Sequence, residues 1–403
     1  MNQPTSATAQ AGFGEFVILI ALIISLVALS IDAMLPALPD IAADLGVSRL
    51  NDSQYVISIF FAGMALGQML FGPLSDSLGR KPAIMAGFVV FAAGCLLSLF
   101  AEDYTVMLLG RFLQGLGASG PRIVSIALVR DRYKGRDMAR VMSFVMTIFI
   151  LVPVFAPAVG QLIIKLADWR YIFVLFLLLT LLAMIWFWLR QEETLPRERR
   201  LHFSFTRLMI DIHAIARIRS ALGYTLAMGL IFGAFVGYLS SAQQIFQQQY
   251  RLFDMFPLYF GILACAIGVA SLLNAGLVMR FGMRRLSILA MRMIILLSIP
   301  FWVVCYGYAG HPPLWMLMLY LVILFFCMGI LFGNLNAMAM EPLGHIAGLG
   351  SALIGSVSTL ISVVFGIIVA DAYDQTVIPL VSGFALLAIV ALFTLHWAEK
   401  SAS

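Results

Sequence analysis

Long apolar runs separated by short polar segments make up most of this chain of 403 residues. Each run has the length of about twenty residues that an α-helix needs to cross roughly 30 Å of hydrocarbon, and none shows the alternation of barrel strands. The pattern predicts twelve membrane-spanning helices, over residues 15–37, 52–74, 82–101, 104–128, 139–164, 169–189, 219–243, 256–279, 286–308, 314–338, 347–371 and 375–397.

The overall composition agrees with this pattern. Hydrophobic residues make up 62% of the chain, charged residues only 11%, and the mean hydropathy is +1.00. Soluble domains have roughly one quarter charged residues. We therefore expect an all-α integral membrane protein that crosses the lipid bilayer many times.

The positions of the basic residues indicate the orientation of the helices. Loops rich in Lys and Arg remain in the cytoplasm. If both termini are cytoplasmic, the inner segments hold eighteen of the 25 Lys and Arg residues and the outer segments hold four. The other three, Arg111, Arg122 and Arg292, fall inside predicted helices. The distribution predicts cytoplasmic termini, and it accounts for the net charge of +5 without a nucleic-acid partner.

The longest polar segment divides the twelve helices into two groups of six. It predicts an N-terminal half over 1–190, a cytoplasmic linker over 191–218 and a C-terminal half over 219–403. Apolar residues between Leu201 and Ala216 recur at helical spacing beside basic residues. That spacing predicts an amphipathic segment along the inner membrane surface.

A weak internal repeat supports this division. The segment GPLSDSLGRKP follows the second span at 72–82, and AGLVMRFGMRR follows the eighth at 275–285. The alignment matches Gly79 with Gly282, although Met279 replaces the aspartate. Two repeated groups of helices are typical of transporters.

Four stretches resemble motifs of a known family. GPLSDSLGRKP resembles the loop between helices 2 and 3 of the major facilitator superfamily, whose pattern is Gly-x-Leu-Ser/Ala-Asp-x-x-Gly-Arg-Lys/Arg. DAMLPALPDIAADLGV at 32–47 resembles the end of helix 1 in that family, and RFLQGLGASG at 111–120 resembles its helix 4 motif. VPVFAPAVG at 152–160 resembles the helix 5 motif of exporters. Together with VRD at 129–131 and AGLGSALIG at 347–355, these stretches resemble the Bcr/CflA subgroup of drug:proton antiporters.

The resemblance implies a function as well as a fold. It implies a major facilitator fold in a bacterial inner membrane and export of small amphipathic drugs in exchange for protons, by alternating access. Multidrug efflux and antibiotic resistance would follow, with a monomeric chain and no cofactor except protons as the coupling ion. The alternative is a proton-coupled transporter of a single small metabolite. A receptor without transport would leave the intramembrane acid Asp32 without a purpose.

The charged loop motif suggests a conformational latch. Gly72 is expected where helix 2 meets helix 11, and Gly79 in a tight turn. Asp76 is expected near the first turn of helix 11, whose free N–H groups favour an anion by about 0.3–1 kcal/mol. Arg80 is expected to pair with Asp131. We expect these contacts, with Lys81 beside them, only while the two halves are closed on the inner side; alternatively, the basic residues only follow the positive-inside rule.

Ionisable residues inside the spans are the strongest functional candidates. A charge near the bilayer centre costs at least about 2.5–3.5 kcal/mol, so it persists only where it is paired, hydrated or functional. Asp32 is the one acidic residue well within a span. By helical rise it shares the outer half of the membrane with Arg111, so we expect both in proton coupling, with a structural ion pair as the alternative. Arg122 lies nearer the inner side, and Arg292 is expected to snorkel to the surface.

Other polar and aromatic residues in the spans predict a substrate cavity, although lipid contact is an alternative for each aromatic. The candidate cavity residues are Tyr55, Gln114, Arg122, Phe232, Phe235, Tyr238, Asn334 and Asn336. Pro153, Pro157 and Gly160 form the helix 5 motif, expected at the interface of the halves or, alternatively, an ordinary kink facing lipid.

An enzymatic function is not expected. GASG at 117–120 resembles the Gly-x-Ser-Gly of intramembrane serine proteases, but all five histidines fall in loops or at helix ends, where none can activate that serine. A small-residue helix interface explains GASG better. The chain has no nucleotide-binding Walker sequence, and its four cysteines lie in separate spans, so neither ATP use nor a metal site is predicted.

Overall fold

Twelve long α-helices run through the part of the chain that the computed structural model describes, residues 12–202, 204, 209–210, 212–213 and 217–399. All twelve are long and apolar enough to cross a membrane, which confirms the predicted count. They are α1 Phe13–Asp32, α2 Tyr55–Leu78, α3 Arg80–Leu99, α4 Tyr104–Arg132, α5 Gly135–Leu166, α6 Arg170–Arg190, α7 Arg219–Gln243, α8 Phe256–Phe281, α9 Met283–Gly307, α10 Leu314–Met340, α11 Ala347–Asp371 and α12 Ile378–Glu399.

The first span has a break that the sequence pattern did not predict. The α-helix ends at Asp32, and the chain continues through a 3₁₀ turn, Leu35–Ala37, into a short helix, Leu38–Asp44. Pro36 lies four residues after Asp32 and has no N–H to donate to the Asp32 carbonyl. The proline therefore places Asp32 at the last position of regular α-helix.

The two halves share the same turn at equivalent positions. Gly79 precedes α3 with a φ of 110°, and Gly282 precedes α9 with a φ of 79°. Both values lie in the left-handed region, where side chains other than hydrogen are strained. The requirement for glycine explains why these two residues persist in an otherwise weak repeat.

Close helix crossings hold the first half together. A Cβ atom on Gly115 of α4 would lie 1.9 Å from the carbonyl oxygen of Phe60 on α2. A Cβ atom on Gly63 of α2 would lie 2.0 Å from the carbonyl oxygen of Phe112. The two helices therefore pack backbone to backbone, and only glycine fits at the crossing.

The two halves contact each other mainly through α2 with α11 and α5 with α8. Between these pairs lies the cavity described below. Residues 191–202 of the linker pack against the arginine-rich end of the first half, which carries Arg80, Arg132 and Arg190. We call this end of the molecule the basic face and the other end the opposite face. Most of the predicted amphipathic segment lies outside the described residues.

Candidate functional site

A cavity of about 690 Å³ lies between the two halves. At one end it reaches Arg130, Met138, Met340 and Ser351, which are close to the basic-face ends of α4, α5, α10 and α11. At the other end it stops near Asp32. The cavity therefore extends from the basic face to the level of Asp32.

Polar contacts between the halves close the opposite face. The side-chain amide of Asn51 donates to the backbone carbonyls of Asp371 at 3.0 Å and Tyr373 at 2.9 Å. The amide of Gln54 donates to Gln244, which continues α7 as a π-helical turn. These contacts join the start of α2 to the ends of α7 and α11, so the structure is closed at this face.

Asp32 lies at the closed end of the cavity and is 5% exposed. Within the described part of the chain its carboxylate has no hydrogen-bond or ion-pair partner. A Cβ atom on Gly160 of α5 would lie 2.0 Å from the carbonyl oxygen of Ala33, so α5 packs directly on the segment that follows Asp32. The backbone next to Asp32 is therefore held by α5, while the carboxylate remains available to bind a proton or a ligand.

Arg111 is fully buried, and its neighbours differ from the predicted ones. Its guanidinium donates to the backbone carbonyl of Val56 on α2 at 3.1 Å and to that of Ser30 on α1 at 3.0 Å. It also donates to the side chain of Gln114 at 2.6 Å. The predicted pairing with Asp32 is absent from this conformation, because these acceptors and the Phe60 ring at 4.6 Å surround the guanidinium. Arg111 joins α1, α2 and α4 and lies outside the cavity lining.

Arg122 occupies a different environment on the same helix. It lines the cavity and is only partly buried. One guanidinium nitrogen, Nη1, donates to the sulfur of Met64 at 3.8 Å, and a thioether is a weak acceptor. Its placement in the cavity agrees with the sequence prediction.

An aromatic ladder forms the wall of the cavity on the second half. Phe232, Phe235 and Tyr238 are spaced by three residues on α7, and their rings stack with centroid distances of 5.9 and 6.4 Å. Phe325 and Phe332 of α10 contact this ladder edge-on. The hydroxyl of Tyr238 is buried and has no hydrogen-bond partner among the described residues. The three α7 residues therefore line the cavity as predicted.

Three predicted cavity residues lie elsewhere. Tyr55 is at the opposite face, where its hydroxyl donates to Asp371 at 3.4 Å. Gln114 is buried against α3, donating to Gly94 and Ser98 as well as accepting from Arg111. Asn334 pairs through its side chain with Asn274 of α8, at 2.8 and 3.2 Å. Each of these polar groups is satisfied by protein, whereas Asn336 lines the cavity as predicted.

Some cavity residues were not predicted from the sequence. Gln68 of α2 lines the cavity on the first half, and Ser358 and Thr359 of α11 line it on the second. Gln68 interrupts an apolar run, which was a detectable signal. Phe325 and Phe332 carried no such signal, because lipid-facing helices are also rich in phenylalanine.

The helix 5 motif lies at the interface of the halves, as expected. Pro153 lines the cavity, and its neighbour Val154 packs on α8, where a Cβ atom on Gly261 would lie 3.2 Å from the Val154 carbonyl oxygen. Gly160, at the end of the motif, packs instead on Ala33 in the segment after α1. The motif therefore joins α5 to both α8 and the segment after Asp32.

The charged loop motif forms a network within the first half. Arg80 pairs with Asp76 at 2.6 Å and with Asp131 at 3.0 Å, the second contact being the predicted one. The Lys81 ammonium donates to the backbone carbonyl of Trp188 at 2.8 Å. These contacts exist although the cavity reaches the basic face. The expectation that the Arg80–Asp131 pair forms only when that face is closed is therefore wrong, because both residues belong to the first half. The expected contact of Asp76 with the first turn of α11 stays a prediction.

Near this motif, one apolar contact and one neutral hydrogen bond cross between the halves in the described part of the chain. A Cβ atom on Gly72 would lie 2.9 Å from the Cβ of Ala352 on α11, which confirms the predicted close approach. The hydroxyl of Ser356 donates to the backbone carbonyl of Ala65 at 2.7 Å. Asp76 and Ser351 line a small cavity of about 240 Å³ among α2, α4 and α11. The charged network therefore fixes the end of α2 against which α11 packs.

Glu193 of the linker is a structural residue that sequence reasoning missed. Its carboxylate accepts from the backbone N–H groups of Arg80 at 2.9 Å and Lys81 at 3.1 Å. Those groups are free donors at the first turn of α3, which begins after Gly79 without a cap from its own sequence. The carboxylate therefore caps α3 from a distant part of the chain and ties the linker to the charged loop motif.

Replacing Glu193 by alanine should lower the thermal stability of the purified protein. Loss of a helix cap costs about 1 kcal/mol, which for a chain of 403 residues corresponds to a decrease in Tm of about 1 °C. Glu198→Ala, at an exposed linker position, is the matched control and should leave the melting temperature unchanged. Equal melting temperatures for both variants would show that the cap does not stabilise α3.

The described residues contain no group of three His, Cys, Asp or Glu side chains that could hold a metal ion. The four cysteines are free, and Cys95, Cys305 and Cys327 are buried. The chemistry of the cavity therefore comes from its carboxylate, its guanidinium groups and its aromatic wall.

Comparisons with known proteins agree on one family. A model described as Major Facilitator Superfamily matches residues 20–367. An uncharacterized MFS-type transporter, YdgK of Bacillus subtilis, is 31% identical over 337 residues, which are 83% of either chain. A bicyclomycin resistance protein homolog of Haemophilus influenzae is 26% identical over 95% of either chain. The multidrug resistance protein MdtL of Salmonella dublin is 40% identical over 143 residues, 36% of either chain.

Solved structures show the same fold. The human organic anion transporter MFSD10 matches with a TM-score of 0.68 at 18% identity, over 96% of this chain and 100% of that one. A peptide transporter of the POT family, solved with sulfate, matches with a TM-score of 0.75 at 14% identity, over 98% and 96% of the two chains. At these identities the likeness concerns the arrangement of helices alone.

Proposed function

The chain belongs to the major facilitator superfamily, and we propose that it exports small amphipathic drugs across a bacterial inner membrane in exchange for protons. It is a multi-pass membrane transporter and not an enzyme. The observation that carries the proposal is the cavity between the halves, which has an apolar aromatic wall. At its closed end lies the carboxylate of Asp32, which has no partner among the described residues. The similarity to relatives named for bicyclomycin and multidrug resistance supports the drug assignment.

The lining of the cavity favours a broad specificity for drugs over specificity for a single metabolite. Ligand sites for one polar metabolite use several precisely placed polar groups. Here the second half contributes stacked rings, with Phe232 and Phe235 at the centre, which accept many apolar shapes. The proposal therefore favours amphipathic compounds in which the apolar part provides most of the contact.

The orientation of the cavity fits the loading step of an exporter. Basic loops stay in the cytoplasm, so the basic face is assigned to the cytoplasmic side. The cavity reaches that face through Arg130 and Ser351, while Asn51 and Gln54 close the opposite face. In this conformation a drug from the cytoplasm reaches Asp32, and opening of the opposite face would then release it to the outside.

Asp32 is proposed as the proton carrier. When the opposite face is open, the carboxylate binds an outside proton, and it releases that proton to the cytoplasm when a drug occupies the cavity. One charge moving down about 100 mV supplies about 2.3 kcal/mol. That is enough for a roughly 50-fold gradient of a neutral substrate at about 1.4 kcal/mol per tenfold. Protons are then the only coupling ion that the cycle requires.

Transport by purified protein in proteoliposomes tests this proposal. The compounds are chloramphenicol, tetraphenylphosphonium, a sugar and an amino acid, each measured with and without an imposed pH gradient. Accumulation of amphipathic drugs that requires the gradient supports the proposal. Accumulation of the sugar or the amino acid alone would show the single-metabolite alternative, and transport unaffected by the gradient would contradict proton coupling.

Arg80→Ala should reduce drug export severalfold at an equal protein level. Arg80 is 11% exposed and pairs with two carboxylates, so its loss frees the end of α2 against which α11 packs. A shift of about 1–3 kcal/mol between the two conformations changes their ratio by 5–150-fold. Arg285→Ala, at an exposed position in the first turn of α9 in the second half, is the control. Unchanged export by Arg80→Ala would remove the charged loop motif from the transport cycle.

A further inference from the structure

The charges of the cavity are confined to one wall. Among the described lining residues, Asp32 is the single carboxylate, and the cations are Arg122 and Arg130, all on the first half. The facing wall is the aromatic ladder of α7 and α10. A ligand between them meets charged groups on one side and rings on the other.

Arg122 has more hydrogen-bond donors than the protein satisfies. A guanidinium carries five N–H groups in a planar fork that matches a carboxylate. Within the described residues, Arg122 contacts the Met64 sulfur at 3.8 Å and has no carboxylate within 4 Å. Arg111, on the same helix, by contrast donates to three oxygen acceptors. The cavity thus holds a cation with free donors in an apolar setting.

The two charged groups lie at different depths. Arg122 follows Arg111 by eleven residues, about 16 Å along α4 at 1.5 Å per residue. Arg111 binds α1 at Ser30, two residues before Asp32. Asp32 and Arg122 are therefore too far apart along the cavity to form an ion pair with each other. The aromatic ladder of Phe232, Phe235 and Tyr238 runs beside the gap between them.

We infer that the preferred substrates are amphipathic zwitterions, with a carboxylate bound by Arg122, an ammonium group bound by Asp32 and an aromatic body against the ladder. This inference rests on the proposed function and specifies its substrate class. The ammonium end competes with the proton for Asp32, as antiport requires. The carboxylate end adds affinity without disturbing that competition, because Arg122 lies at another depth.

A matched set of rigid ligands tests the assignment by equilibrium binding. The zwitterion is 4′-(aminomethyl)biphenyl-4-carboxylic acid. The anion is biphenyl-4-carboxylic acid, the cation is biphenyl-4-methylamine and the neutral compound is biphenyl-4-methanol. Binding is measured by isothermal titration calorimetry on the purified full chain in detergent, against a detergent blank. No gradient is present, so the result is independent of whether transport is coupled to protons.

We expect wild type to bind the zwitterion at least tenfold more tightly than any other member of the set. Arg122→Gln should weaken binding of the zwitterion and the anion by tenfold or more, because a charge-assisted pair is lost. Its affinities for the cation and the neutral compound should stay within twofold of wild type. Asp32→Asn should instead weaken binding of the zwitterion and the cation. Arg292→Gln, on a lipid-exposed position of α9, is the control and should change none of them.

Three results would overturn the inference. The first is a wild-type preference for the cation or the neutral compound, which needs no variant to observe. The second is an equal loss of affinity for all four ligands in Arg122→Gln, which would show that Arg122 has a packing role. The third is a loss of anion binding in Arg130→Gln but not in Arg122→Gln, which would move the carboxylate site to the mouth of the cavity. If drug transport remains proton-driven in any of these cases, only the substrate class is wrong.

Discussion

Asp32→Asn should reach the membrane at the wild-type level and lose drug accumulation against a gradient. Asparagine has nearly the same shape as aspartate but cannot exchange a proton, so an imposed pH gradient no longer drives the cycle. Because the carboxylate has no partner within the described protein, its neutralisation leaves no other charge unpaired. Exchange of labelled for unlabelled chloramphenicol across proteoliposomes should persist, since alternating access itself does not need the proton.

The control for this prediction is Asp40→Asn, on the short helix that follows Asp32. Asp40 is an exposed acid outside the cavity, so its neutralisation should leave accumulation unchanged. Uphill accumulation by Asp32→Asn in response to a pH gradient would show that another group carries the proton. A large fall in protein yield for Asp32→Asn alone would show that the carboxylate is structural.

Arg111→Met should destabilise the protein severely. The variant loses charge-assisted hydrogen bonds to three acceptors on α1, α2 and α4, each bond contributing about 1.5–3 kcal/mol. For a chain of 403 residues, a net loss of about 4 kcal/mol corresponds to a melting temperature lower by about 5 °C. The break in α1 beside Asp32 would lose its support from Ser30, so transport should fall together with stability.

Arg122→Gln is the matched comparison, because it removes a guanidinium from the same helix. Arg122 makes one weak contact, to Met64, so the melting temperature of the Arg122→Gln variant should stay within a few degrees of wild type. Fluorescence-detected melting of both variants in detergent gives the difference. A stable Arg111→Met variant would contradict the structural role of Arg111, and it would restore the predicted role in proton coupling.

The spans and the turns were predictable from the sequence because each depends on local properties. Apolar runs of bilayer length predict helices whatever surrounds them. Gly79 and Gly282 were visible in the repeat, and the structure shows that both adopt a positive φ. Asp32 was also predictable, since a lone acid in an apolar run needs either a partner or water.

The distinction between Arg111 and Arg122 was not predictable from the pattern. Eleven residues are close to three full turns of 3.6, so both arginines lie on the same side of α4. Their roles differ because Ser30 and Val56 approach one of them, whereas the cavity opens beside the other. The depth at which the cavity ends is a property of all the helices together.

Polar residues inside a span raise the same difficulty. Asn334 and Asn336 are equally polar and two residues apart, so periodicity places them on different faces of α10 without saying which face meets the cavity. Asn334 is satisfied by Asn274 of α8, and Asn336 lines the cavity. The cap from Glu193 was unpredictable for the same reason, since its acceptor and donors are more than a hundred residues apart. Partners in distant parts of the chain decide each case.

Proton release on drug binding tests the central claim most directly. Tetraphenylphosphonium carries no proton of its own, so it is added to purified protein in weakly buffered detergent at several pH values, with the pH recorded. The account predicts that wild type releases protons in proportion to the drug bound. Asp32→Asn, at drug concentrations raised to offset its weaker binding of a cation, should bind the drug without release. Equal release by both proteins, or binding to wild type without release at any pH, would contradict the exchange of drug and proton at Asp32.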